Sequence, residues 1–212
     1  MRRLEFLTYD VFTERTFGGN PLGIFPDGSG LSDAEMQSIA RELNLSETVF
    51  LLPPMSGGTA RVRIFTPGFE VPFAGHPTVG TACYLADAGL VELAGERCEI
   101  VLEEEVGPVP VAIHREEGRS TFARLTAAER PAVLPCDLDR AALADIVRLE
   151  PDDLVATFEG AGASAAFASV GLGYLVIPVA DFDALARATL DDAARAELVR
   201  SDALGRMIYV AA

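Results

Sequence analysis

The chain predicts an α+β fold built from two similar lobes, and three features of the sequence lead to that class. Short segments rich in β-formers outnumber helical ones, and Arg97 to Glu103, Val106 to His114 and Ser120 to Leu125 succeed one another as antiparallel strands do. The helical segments carry their own start and stop residues. A strand–proline–helix unit also occurs twice. Gly19-Asn-Pro-Leu-Gly-Ile-Phe-Pro26 leads into a helix at Ser32, and Gly173-Tyr-Leu-Val-Ile-Pro178 leads into Asp181-Phe-Asp-Ala-Leu-Ala.

The elements follow in order. Leu4 to Thr13 alternates as a first strand, Phe17-Gly-Gly-Asn-Pro21 turns the chain, and Leu22 to Phe25 forms a second strand. Ser32 with Glu35 makes a capping box, Met36, Ile39, Ala40 and Leu43 share one helical face, and Asn44 supplies a left-handed cap. Thr48 to Leu52 and Arg61 to Thr66 are strands. Pro77 suits the first turn of a helix running to about Ala88, with Gly89 past its end. Beyond the antiparallel run, a helix is expected over Leu138 to Leu149, strands near Val155 and Leu175, a helix over Phe182 to Ala188, and a last strand over Arg206 to Ala211.

With 212 residues, half of them apolar, the chain can bury a sizeable core as one large domain or two small lobes. A net charge of −15 without any Lys/Arg cluster excludes nucleic acid as a partner, because binding phosphates needs a basic patch. No apolar run is long enough to span a bilayer, so no membrane partner is expected. The opening MRRLEFLTYDVF has no h-region, which points to a cytoplasmic protein. Cys83, Cys98 and Cys136 are odd in number and scattered, as reduced thiols are, and offer neither a disulfide framework nor a metal site.

Four positions carry candidate chemistry. Glu47, in NLSETVF, stands between an apolar helix face and an apolar strand; a carboxylate at the lip of a core suits a proton shuttle, although a solvated glutamate at a strand entry would read the same way. His76 lies at the mouth of the helix that follows it, where free N–H groups and the helix dipole form an anion site for a substrate carboxylate; a capping histidine in a tight turn is the alternative. Gly75 lets backbone approach a ligand closely. Asn20 could orient a ligand through its amide, or simply open a turn before Pro21. Thr66 and Glu70 flank the Pro67-Gly68 turn as supports. Two features do not qualify. Gly160-Ala-Gly162-Ala-Ser-Ala165 imitates a dinucleotide fingerprint, but Val170-Gly-Leu-Gly breaks the chain before a crossover helix could form. Cys83 falls mid-helix with no base adjacent in sequence and reads as core.

GGNPLGIF, NLSETVF and RIFTPGFEVPFAGHPTVGTA together resemble the phenazine-biosynthesis PhzF-like family, of the diaminopimelate-epimerase-like fold; the likeness is most specific over Arg61–Ala82 and weaker after Leu125. The resemblance implies two pseudo-symmetric lobes, each a sheet around a central helix, with the active site in the cleft between them. It places the first lobe at residues 1–118, carrying both motifs, and the second at 119–212. It further implies an isomerase in which Glu47 moves a proton between carbons of a small carboxylated substrate, as in the isomerisation of a dihydro-hydroxyanthranilate, with Gly75 and His76 contacting the substrate. No cofactor or metal is implied, and relatives tend to be homodimers. Ala74-Gly75-His76 stands where the epimerase branch has Cys-Gly-Asn, which argues against cysteine-based racemisation. Members also carry a second-lobe motif resembling EDPATGSA, whose Asp and Ser complete the site. No such segment occurs in the 212 residues, so the second lobe is expected to be incomplete, and a catalytically inactive relative acting as a binding or dimerising module is the alternative.

Overall fold

The structure, a computed structural model, describes residues 3–115, 121–128, 130–155, 165–169, 173–201 and 207–212. It divides into two compact units, Met1–Glu129 and Arg130–Ala212.

In the first unit β1 (Leu7–Val11) and β2 (Asn20–Phe25) pair antiparallel, and helix α1 (Asp33–Leu43) carries the chain across to β3 (Glu47–Leu52), which lies parallel to β2. β4 (Ala60–Phe65) returns antiparallel to β3, and the short β5 (Glu70–Val71) pairs with β4. Helix α2 (Gly75–Asp87) then leads to β6 (Arg97–Glu104), parallel to β4, followed by the antiparallel β7 (Gly107–His114) and β8 (Phe122–Leu125). The strand order is β1-β2-β3-β4-β6-β7-β8, with β5 beside β4. α2 touches β1, β2 and β3 near one end of this order and β7 and β8 at the other, so the sheet wraps around it.

The sequence of α2 explains the wrapping. GHPTVGTACYLAD has no charged residue before its final Asp, and nine of its residues are buried. A helix without a polar face must be enclosed. Gly80 lets the sheet come close, because a Cβ there would stand 2.6 Å from Val11 Cγ2 and 2.7 Å from Leu22 Cδ2. The opposite face of the sheet is closed by α1, whose Met36 and Ala40 pack on Phe25, Phe50 and Phe65. Phe25 and Phe50 stack at 4.8 Å, and Phe50 meets Phe65 edge-on at 5.6 Å. The central strand β3 is covered on both faces, which is why ETVFLL is nearly continuous in apolar residues.

The second unit contains β9 (Ala132–Pro135), α3 (Arg140–Val147), a 3-10 turn (Pro151–Asp153), β10 (Ala166–Ser169), β11 (Gly173–Pro178), α4 (Phe182–Arg187), α5 (Asp192–Ser201) and β12 (Met207–Ala211). Its sheet runs β12-β11-β10-β9, and its core gathers Leu143, Ile146, Val147, Leu154, Leu175 and Ile177. The duplicated unit read from sequence is visible here as topology. β1 and β2 are antiparallel and β2 runs parallel to β3 across α1; likewise β10 and β11 are antiparallel and β11 runs parallel to β12 across α4 and α5.

Several expectations shift. The units divide at Glu129–Arg130 rather than after 118, because β8 extends the first sheet by pairing with β7. Of the strand expected near Val155, the described residues hold an isolated bridge from Leu154 to Val179, and residues 156–164 lie outside them. β9 gives no alternation because all four of its residues are exposed, and the alanine-rich α5 has no marked apolar face. The glycine-rich segment at 160–164 lies outside the described residues. Among those described, no helix is long and apolar enough to cross a membrane.

The boundaries of α1 match the expectation in detail. Ser32 accepts from the Glu35 N–H while Glu35 accepts from the Ser32 N–H, and Asn44 sits at φ 51°. Replacing Ser32 by Ala is therefore expected to cost about 1 kcal/mol in urea unfolding, since two first-turn donors lose their shared arrangement. An unchanged midpoint would mean that packing of the phenylalanine cluster alone sets the stability of α1.

Candidate active site

The register of β3 builds the site. Glu47 opens the strand opposite Leu22 of β2, and the two-residue period puts Glu47, Val49 and Leu51 on the face that packs against α2. The Glu47 carboxylate therefore reaches the first turn of α2 as the strand begins. Immediately before it, the Ser46 hydroxyl donates to Asn20 Oδ1 at 2.9 Å, joining the strand entry to the start of β2.

His76 is the second residue of α2. The helix begins at Gly75, two residues before Pro77, so His76 lies within the first turn rather than ahead of it. Its side chain is 7 % exposed against 21 % for Glu47, and its Nδ1 lies 2.8 Å from Glu47 Oε2. That distance is close enough to exchange a proton or pair charges, but the alignment is not that of a hydrogen bond. Glu47 Oε2, His76 Nδ1 and His76 Nε2 are all buried without a hydrogen-bond partner among the described residues. Buried polar atoms left in this state are costly unless something else engages them.

The helix mouth adds donors. Ala74 caps α2 without a side-chain bond, and no acidic residue occupies the first turn, so the Gly75 and His76 N–H groups are not consumed by a cap. The two glycines of the helix contrast in role. Gly80 is demanded by packing, whereas a Cβ on Gly75 would meet nothing nearer than Leu125 Cδ2 at 3.9 Å. Packing therefore does not require glycine at 75. The Phe12 ring lies 6.4 Å from that of His76, and Phe12 is 69 % exposed with φ at 63°. A bulky residue in the left-handed region is uncommon enough to mark a shaped loop.

Glu47, His76, Gly75 and Asn20 thus fall in one neighbourhood, linked through Ser46. Sequence reasoning passed over Ser46, although it lies within NLSETVF, and Phe12, which closes MRRLEFLTYDVF. Thr66 and Glu70 act as supports: Thr66 Oγ1 accepts from the Gly68 and Phe69 N–H groups, and Glu70 holds Arg63 through two hydrogen bonds at 2.7 and 2.5 Å. Burial pushes the Cys83 thiol up to about 11, assisted by Asp87, so it is protonated at neutral pH and unfit as a nucleophile. Hollows of about 580 Å³ and about 810 Å³ in the first unit are lined by neither Glu47 nor His76. The orphaned polar atoms, rather than cavity size, mark the site.

A sheet wrapped on a buried helix whose first turn meets a carboxylate, with the strand–helix–strand unit repeated, places the protein in the epimerase-like fold class expected from its motifs. The profile of the phenazine biosynthesis-like (PhzC-PhzF) family matches residues 9–209, and the chain belongs to that family. It is 45 % identical over 201 residues to an uncharacterized isomerase of Mesorhizobium japonicum, covering 93 % of this chain and 63 % of that protein. It is 42 % identical over 115 residues to a trans-2,3-dihydro-3-hydroxyanthranilate isomerase of Pseudomonas aeruginosa, covering 54 % of this chain and 39 % of that one. A solved structure described as a predicted epimerase from Pseudomonas aeruginosa aligns with TM-score 0.79 at 31 % identity, over 98 % of this chain and 70 % of the other. The chain therefore spans less than two thirds of the length of these two isomerase relatives.

A second buried carboxyl lies near the same helix turn. Glu104 ends β6, is 7 % exposed, and has Oε1 at 2.6 Å from Thr78 Oγ1. Burial pushes it up to about 7, with the Thr78 hydroxyl pulling in the opposite direction. The folded protein thus keeps this proton up to about pH 7, whereas the unfolded chain releases it near the ordinary 4.5. The folded state binds more protons in that window, so this group's contribution to stability falls as pH rises through it. The full loss is on the order of 3 kcal/mol. Glu104→Gln is expected to raise the urea midpoint at pH 8 and to change it far less at pH 5. A lower midpoint at pH 8 would show that the fold accommodates the carboxylate.

Proposed function

We propose that this chain works as an isomerase that moves a proton between two carbons of a small carboxylated substrate, with Glu47 as the acid/base group. The observation that carries the reading is the Glu47–His76 pair at the mouth of α2, a partly exposed carboxylate against a buried imidazole, with three buried polar atoms that have no hydrogen-bond partner among the described residues. A substrate carboxylate would accept from the Gly75 and His76 N–H groups, drawn by the positive end of the helix. His76 Nε2 is free to hold a second polar atom of the ligand. Asn20, hydrogen-bonded to Ser46, would orient the remainder of the molecule.

In the reaction the Glu47 carboxylate takes a proton from a substrate carbon. The electron pair left behind shifts into the adjoining unsaturated system, and the Glu47 carboxylic acid returns the proton at another carbon. Atoms and charge balance without an external oxidant or reductant, and the reading requires neither cofactor nor metal.

The second reading is a module that binds carboxylated ligands or dimerises without turnover. Incubation with trans-2,3-dihydro-3-hydroxyanthranilate in D2O, followed by mass spectrometry, separates the two. The wild-type chain is expected to incorporate deuterium into product, and Glu47→Gln to lose at least about a hundredfold in rate. Undiminished incorporation by Glu47→Gln would remove Glu47 from the chemistry; no turnover by the wild type would favour the module.

A further inference from the structure

Glu104 takes no part in the proton transfer described above, yet it stands one contact away from the helix that carries the site. Thr78 Oγ1 lies 2.7 Å from the Ala74 carbonyl oxygen and 2.6 Å from Glu104 Oε1. A hydroxyl has one proton to donate, and a backbone carbonyl can only accept. Both contacts are hydrogen bonds at once only if Glu104 is protonated and donates to Thr78, which then donates to Ala74. When Glu104 is ionised, carbonyl and carboxylate compete for a single proton.

The surroundings favour the protonated arrangement near neutrality. Glu104 Oε2 is buried and has no hydrogen-bond partner, which a neutral carboxyl tolerates better than a carboxylate. Burial raises the proton affinity in the same sense. The charged groups sharing the adjoining hollow are Arg61 and Arg63 on β4, Glu70 on β5, and Glu103 and Glu105 beside Glu104; on α2 the nearest titratable residue in sequence to Thr78 is His76. Arg63 is engaged by Glu70 and Asp33, and Glu103 by the N–H groups of Met55, Ser56 and Gly58.

Ala74 has no side-chain cap, but its carbonyl also accepts from the Thr78 N–H at 3.2 Å. The peptide unit is planar and trans, so the direction of the Ala74 carbonyl fixes that of the Gly75 N–H, which points the opposite way. That N–H belongs to the helix mouth beside His76. We propose that Glu104 is a positioning residue for the site: through the Thr78 hydroxyl it sets the orientation of the Ala74–Gly75 peptide and so aims the Gly75 N–H. The functional meaning rests on the carboxylate anchor proposed above, whereas the coupling belongs to the fold and is measurable without substrate.

The test uses the full chain, labelled with 13C and 15N, titrated from about pH 5.5 to about pH 8.5 while the Glu104 carboxyl carbon and the Gly75 amide are followed by NMR. In the wild type the carboxyl should inflect near neutrality and the Gly75 amide should carry a matching inflection. Glu104→Gln, which keeps a donor towards Thr78, should remove that inflection and hold the amide near its low-pH position. Thr78→Val should leave Glu104 titrating but uncouple Gly75, and Thr78→Ser should restore the coupling even if the valine variant folds poorly. A Gly75 inflection that survives Glu104→Gln overturns the proposal, as does a Glu104 carboxyl titrating in the ordinary range. Glu47→Gln separates the two readings, because it removes the proposed acid/base group while leaving the Glu104–Gly75 coupling intact. Retained turnover with intact coupling would then count against nothing but the assigned chemistry.

Discussion

The enclosure of α2 is the constraint on which the first lobe depends. A helix with nine buried residues and no charge before its last position cannot rest against one layer; it has to be surrounded, and the sheet reaches it from both ends of its strand order. Enclosure needs close approach, which Gly80 permits against Val11 and Leu22. It also fixes where the helix begins. The uncapped first turn emerges beside the entry of β3, so a partly exposed carboxylate on the strand and a buried imidazole on the helix meet at 2.8 Å. The same packing that stabilises the lobe therefore leaves polar atoms without partners at one end of it.

Two carboxyl groups approach that first turn from different strands, in unlike settings. Glu47 comes from the entry of β3, keeps some access to solvent and meets His76. Glu104 comes from the end of β6, is nearly enclosed, and meets only the hydroxyl of Thr78. Both stand near the positive end of the helix, which favours negative charge, but for Glu104 loss of hydration outweighs that attraction and retains the proton.

Much of this was legible in the residues, for identifiable reasons. Local signals do not depend on distant partners, so Ser32, Glu35 and Asn44 marked α1 correctly, and Gly89, at φ 68°, stands just past α2. The motifs around Glu47 and Gly75-His76 announced a site because they place reactive side chains at a strand entry and a helix mouth. The contact between them was not legible, since it depends on the register of β3 against β2 and on the seating of α2, both set by tertiary packing. β9 and α5 escaped because neither has an apolar period to detect. Glu104 escaped for another reason: among the acidic residues of Glu103-Glu-Glu105 nothing local distinguishes the one that is buried. Only its neighbours do. Glu103 is held outside by three backbone N–H groups, and the alternation of β6 turns Glu104 inwards.

The duplicated unit also separates architecture from chemistry. In the first lobe the strand that returns parallel after the helix opens with Glu47; in the second, β12 opens with Met207, paired beside Tyr174. The same strand–helix–strand topology is thus used twice, with a carboxylate as the first residue of the returning strand in the first copy and a methionine in the second. Inverting a stereocentre calls for proton donors and acceptors on opposite faces of the substrate. Moving a proton between two carbons on one face needs a single group that takes it and gives it back. The Glu47 carboxylate at one strand entry, beside a helix mouth suited to a substrate carboxylate, fits the second requirement. The proposed reaction is such a proton shift within one molecule, on a fold shared with an enzyme named as a probable proline racemase.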